Sequence, residues 1–166
     1  MLKVHYNRPC VFVLDTYLYV VGGFPKQKTM EALNLKNLTM GWQQSVPLHV
    51  GFHHTACATV NDTRVVLTGG RYAGYHSNGK RSLIWHRGDH KWTLLPPMHE
   101  SREYHCSVSD DVRYVYAVGG DRLGSMERYD TVKHKWTMMG RMPQKLKVHA
   151  CVCVDGTIIG TYGISC

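Results

Sequence analysis

YVYAVGGDRLGSMERYDTVKHKW, from Tyr114 to Trp136, is the stretch whose reading decides the fold. Tyr114 to Val118 is a short run of β-branched and aromatic residues, too brief for a helix and typical of a strand. Gly119-Gly120 ends it, because two adjacent glycines accept backbone angles and close approaches that side chains forbid. Met126 to Asp130 resumes an extended pattern. The polar segment Thr131 to Lys135 makes a turn, and Trp136 opens a third strand.

The unit recurs, and a recurring period near fifty residues outweighs any local propensity. YLYVVGG, RVVLTGG and YVYAVGG end at Gly22-Gly23, Gly69-Gly70 and Gly119-Gly120. A tryptophan follows each pair, at Trp42, Trp92 and Trp136, after 19, 22 and 16 residues. From each of the first two tryptophans to the next pair is 27 residues; the third reaches Tyr162-Gly163 after 26. The run TIIGTYG therefore reads as a fourth, degraded copy. The constant and variable distances place the insertions between the glycine pair and the tryptophan.

A Gly-Gly after a second strand and a Trp opening a fourth, at this period, resembles the kelch repeat of β-propellers. MERYDTVKHKW adds Tyr129, Asp130 and the six-residue step to Trp136, and looks most like the kelch domains of BTB-kelch proteins. The resemblance implies an all-β chain of four-stranded antiparallel blades, strands a to d from the axis outward. The expected blades are 9–46, 54–97, 105–140 and an incomplete 149–166. Asp155-Gly156 between the apolar runs of the last copy is a strong hairpin signal. Three and a half blades do not close a ring, and open ends favour association, so the chain is expected to be a fragment of a longer protein or a truncated gene product, with pairing of two chains into one ring as the alternative.

The 166 residues suffice for a substantial core, and 43% apolar with 19% charged residues is ordinary for a globular protein. No apolar run approaches a membrane span, and MLKVHYNRPC has no apolar signal-peptide stretch. The expected location is the cytoplasm, with the nucleus as alternative.

Six cysteines invite a disulfide framework. Cys10, Cys57, Cys106 and Cys151, however, share one slot in strand a, 11 to 13 residues before the glycine position of each copy. They read as small apolar packing residues. His149, Cys151 and Cys153 share a strand face, as three metal ligands would, but repeat packing explains them and no metal is assigned. His54, His105 and His149 sit at the start of strand a. No carboxylate pair, catalytic triad or phosphate loop emerges from the spacing, so neither catalysis nor a cofactor is expected. The net charge of +8 raises a basic nucleic-acid surface as a rival, with Lys36, Arg87, Lys91, Lys133 and Lys135 at the c–d turns. No aromatic stacking motif accompanies them, and hairpin-tip lysines keep edges from pairing.

The expected function is a non-enzymatic protein-interaction module. The resemblance implies the substrate-recognition part of a cullin-3 ubiquitin ligase adaptor, whose BTB and BACK regions are not in this sequence. An actin-associated or regulatory kelch fragment is the alternative. The resemblance places partner binding on the b–c and d–a loops: Lys26, Lys28, Arg71, Tyr72, Tyr75, His76, Arg102, Asp121 and Arg122. Tyr and Arg are favoured interface anchors. Trp42, Trp92 and Trp136 are expected to pack between blades, and Trp85, outside their register, to matter less.

Overall fold

A computed structural model describes residues 5–6, 8–25, 28–72, 79–145 and 150–161. Three sheets are four-stranded antiparallel meanders, as expected of kelch blades. Blade 1 comprises Cys10–Leu14, Tyr17–Val21, Met30–Asn34 and Trp42–Gln44. Blade 2 comprises Ala56–Asn61, Arg64–Thr68, Ser82–His86 and Thr93–Leu94. Blade 3 comprises Cys106–Ser109, Tyr114–Val118, Ser125–Asp130 and Lys135–Arg141. A hairpin, Ala150–Val154 with Thr157–Thr161, turns at Asp155-Gly156. Among the described residues the sheets do not close a ring. One 3₁₀ turn, Leu38–Met40, precedes Trp42; among the described residues no helix is long and apolar enough to cross a membrane.

The core lies between blades. Phe12, Leu14, Tyr19 and Val21 of blade 1 pack on Val65, Leu67, Leu83, Trp85 and Trp92 of blade 2. On the other face of blade 2, Ala58, Val60 and Val66 pack on Val115, Ala117, Tyr129 and Trp136 of blade 3. Strand b of blade 2 is thus buried on both faces, which explains why RVVLT reads as a continuous apolar run instead of an alternating one.

The glycine pairs mark where one blade's strand b meets the connector into the next blade. Gly70 donates its N–H to the Arg102 carbonyl at 2.7 Å, and Gly23 donates to Phe52 at 2.9 Å. Gly70 has φ +83, and a Cβ there would lie 2.7 Å from the His53 carbonyl oxygen. Glycine is required both by conformation and by the close approach.

The tryptophans split differently from expectation. Trp92 and Trp136 are buried, and each indole N–H donates to the d–a connector of the preceding blade, Val46 O at 3.3 Å and Pro96 O at 3.0 Å. Trp42 is half-exposed, because no blade precedes blade 1 among the described residues to cover it. Trp85 is 3% exposed, against the expectation of a lesser role. It stands seven residues before Trp92, as buried Tyr129 stands before Trp136, and its ring lies 6.0 Å from Trp92 and 5.3 Å from Tyr19.

The cysteines also require a correction. Cys106 and Cys151 are joined by a disulfide between strand a of blade 3 and strand a of the hairpin, with Cα atoms 6.0 Å apart. Equivalent slots of neighbouring blades lie side by side around the axis, which brings these two thiols within bonding reach. His149, Tyr162-Gly163 and Cys166 lie outside the described residues.

Candidate functional site

Strands a of successive blades are neighbours around an axial groove of about 380 Å³, lined by residues including Val11, Val13, Cys57, Ser107, Cys151 and Val152. The segments entering these strands therefore converge at one mouth of the groove. Arg8, His54 and Tyr104 each stand two residues before strand a, and all three have left-handed backbones, with φ of 61°, 57° and 56°. Such a conformation costs a non-glycine residue about 1–3 kcal/mol and concentrates at functional positions.

Their side chains meet. The Tyr104 ring stacks with His54 at 4.3 Å, and the Arg8 guanidinium lies over the same ring at 5.0 Å. The His53 and His54 Nδ1 atoms are 3.2 Å apart, within hydrogen-bonding distance. Arg71 adds a second guanidinium, held by a bidentate pair with Glu103; its Nη2 donates to Oε1 at 2.9 Å and its Nε to Oε2. Burial, then the charges of His53 and Arg8, lowers the His54 pKa to about 4. Burial and Arg71 lower His53 too. Near neutral pH the mouth carries fixed guanidinium charges beside neutral imidazoles and a phenol. It offers stacking surface and hydrogen bonds, the mixture that binds polypeptide.

The expected rim residues divide. The Arg71 side chain is half-exposed, Lys28 and Arg122 are exposed, and the Asp121 N–H donates to the Glu103 carbonyl at 2.9 Å. These four lie on the loops that border the mouth. Lys26, Tyr75 and His76 lie outside the described residues.

Tyr72 and Arg102 are corrections. Tyr72 is buried: its ring packs 5.8 Å from Phe52 beneath the Arg81 guanidinium at 4.5 Å. It belongs to a two-residue ladder, Phe52–His53 with Arg71–Tyr72, that turns the ring inward. Arg102 is fully buried. Its Nη1 donates to Gly119 O at 2.7 Å and Ser125 O at 2.9 Å, and its Nη2 to Glu127 Oε1 at 3.1 Å and Glu100 Oε2 at 3.0 Å. It bolts the d–a connector to blade 3 instead of facing a partner.

Sequence reasoning missed Arg8, His53, Glu103 and Tyr104 as mouth residues and treated His54 as a repeat position. Aligning the copies on the first residue of strand a would have shown Arg8, His54 and Tyr104 in one slot. Asp130 is structural: it accepts both Arg113 nitrogens, at 2.9 and 2.6 Å, and the Val132 and Lys133 N–H groups of the c–d turn. Arg113 holds its carboxyl well below the usual carboxylate range. At the opposite rim, Lys36, Arg87, Lys91, Lys133 and Lys135 are all exposed, with Arg87 donating to Asp15 at 2.7 Å. Among the described residues no three His, Cys, Asp or Glu side chains are grouped to hold a metal.

Comparison with known proteins fits this geometry. Over 134 residues, 75% of this chain, the sequence is 31% identical to "Kelch-like protein 26" of Danio rerio. Over 157 residues, 90% of the chain, it is 28% identical to human "Kelch-like protein 23". A Dictyostelium discoideum relative, "RING finger domain and kelch repeat-containing protein", is 27% identical over 152 residues. These are kelch repeats. No protein-family profile matches the sequence. The kelch-repeat chain spans 22%, 27% and 14% of the lengths of those three relatives. The matches run along most of it, as do the glycine pairs and tryptophans from which the kelch resemblance was read.

Proposed function

We propose that this kelch-repeat chain is a non-enzymatic protein-recognition module whose partner docks at the axial mouth bordered by Arg8, His53, His54, Arg71 and Tyr104. The observation that carries the reading is the shared left-handed slot of Arg8, His54 and Tyr104, in which the His54 ring and the Arg8 guanidinium both pack on the Tyr104 ring. A left-handed non-glycine backbone is a lead to function, and here it brings side chains from three blade entrances together. Arg71, Lys28, Asp121 and Arg122 extend the surface outward. The kelch-like relatives support a protein-interaction role. In a full-length kelch-like protein the module would select the substrate of a cullin-3 ubiquitin ligase, and its expected place is the cytoplasm.

The test compares proteins that co-purify with wild type, with a mouth variant (Arg71→Glu, Tyr104→Ala) and with a turn variant (Lys133→Glu, Lys135→Glu). Loss confined to the mouth variant, at unchanged melting temperature, is the expected outcome. Loss confined to the turn variant refutes the assignment and favours the basic rim.

A second reading, association through the open end, rests on the terminal hairpin. Among the described residues Thr157–Thr161 pairs only with Ala150–Val154, and Val152, Val154 and Ile159 are each about half-exposed. An unpaired edge beside apolar side chains is a template for another sheet. Sedimentation should show a dimer that Ile159→Lys dissociates; a monomer at every concentration refutes it.

A further inference from the structure

We propose that Cys10 and Cys57 form a thiol-oxidation site, which a small-molecule disulfide such as oxidised glutathione converts to a covalent staple between blades 1 and 2. Cys10 begins strand a of blade 1, and Cys57 is the second residue of strand a of blade 2. The two strands are neighbours, and Cys57 Sγ donates across the blade boundary to the Val11 carbonyl at 3.8 Å. The Cys10 side chain hydrogen-bonds Cys57 and, together with burial, pushes the Cys57 thiol well above its ordinary value. The pair that fills the same slots in blade 3 and the hairpin, Cys106 and Cys151, is already bonded. The repeat therefore places Cys10 and Cys57 in the two slots that a disulfide joins between blade 3 and the hairpin, and blades 1 and 2 hold the reduced version of that arrangement.

The two sulfurs have different access, which sets the order of events. Cys57 is half-buried and lines the axial groove; Cys10 is 4% exposed. Because its thiol pKa is raised, only a small fraction of Cys57 is deprotonated near neutral pH and the reaction is slow there; in alkaline solution the Cys57 thiolate attacks one sulfur of the small disulfide, releasing one thiolate that takes up a proton. The deprotonated Cys10 then attacks Cys57 Sγ in the mixed disulfide. The second small thiol leaves and is protonated in turn. Two protein thiols are oxidised, one disulfide is reduced to two thiols, and the protons balance. Thr55 Oγ1, 3.2 Å from Cys10 Sγ, can donate to the Cys10 thiolate as it forms.

The full chain is incubated with oxidised glutathione at alkaline pH, where Cys57 is deprotonated, then acid-quenched, alkylated with N-ethylmaleimide and mapped by peptide mass spectrometry. The expected result is a Cys10–Cys57 cross-linked peptide, loss of two alkylatable thiols and recovery of both on reduction. Cys10→Ser should trap Cys57 as the glutathione mixed disulfide, while Cys57→Ser should leave Cys10 unmodified. Wild-type protein that keeps both thiols alkylatable, retains glutathione on Cys57, or links Cys57 to Cys151 or Cys153 overturns the proposal. The wild-type map decides the matter even where a serine variant fails to fold.

Discussion

Replacing Arg102 by Met removes a side chain that the structure buries completely and surrounds with acceptors. Glu127, equally buried, then loses its cationic partner, while Gly119 O and Ser125 O lose a charged donor. Breaking a buried ion pair from one side costs about 3–5 kcal/mol, because the remaining charge stays desolvated. An ordinary domain has only about 5–15 kcal/mol in total. At about 2–4 °C per kcal/mol for a chain of this size, melting should fall by roughly 6–20 °C. Glu127 also accepts the His99 and Glu100 N–H groups, at 2.6 and 3.0 Å, so its replacement must keep an acceptor oxygen. Adding Glu127→Gln to Arg102→Met neutralises the stranded charge but keeps only one of the two oxygens, so either the His99 N–H on Oε2 or the Glu100 N–H on Oε1 loses its acceptor. A stranded buried charge costs about 3–5 kcal/mol and one unsatisfied N–H about 1–3, so the double variant should be at least as stable as the single one. Urea unfolding of wild type, single and double variants, with exposed Arg122→Met as control, measures this. Equal, small effects for Arg102→Met and Arg122→Met would refute the reasoning, as would a double variant less stable than the single one.

Trp85→Ala and Trp136→Ala should each cost about 3–5 kcal/mol in thermal or chemical unfolding, the range for truncating a buried aromatic, whereas half-exposed Trp42→Ala should cost clearly less. The histidine pair predicts a direction with pH: both folded-state values lie below the unfolded value of about 6.5, so stability is retained above that pH and declines as pH falls from there toward about 4. NMR titration of the His54 ring should find its midpoint near 4 and that of His53 below the ordinary value; a His54 midpoint at or above about 6.5 contradicts the packing of the mouth.

The repeat was legible in the sequence because its markers answer to hard constraints. Gly70 stands where another backbone passes, and Trp92 and Trp136 fill the same space between blades, so their spacing is inherited from the ring. Short elements carry no such periodicity. The two-residue ladder that turns Tyr72 inward has too few residues to show alternation, and Tyr72 read as a loop anchor. Arg102 read as surface because a lone arginine in a connector gives no sign of burial; its partner Glu127 lies 25 residues away. The cysteine slots were visible, but one-dimensional register does not reveal that equal slots of adjacent blades touch. Trp85 was misjudged because only tryptophans were aligned. Aligned with Tyr129 as a large aromatic in strand c, its burial follows.

The central claim, that this kelch-repeat chain meets its partner at the axial mouth, is tested most directly by site-specific photocrosslinking in cells. A photoreactive residue is placed at exposed position 122, beside Glu103 and Tyr104, and in a second chain at exposed position 133 on the c–d turn. The account predicts a discrete crosslinked protein from position 122 that disappears with Tyr104→Ala, and none from position 133. A discrete product from position 133 alone, or one from position 122 indifferent to Tyr104, contradicts it.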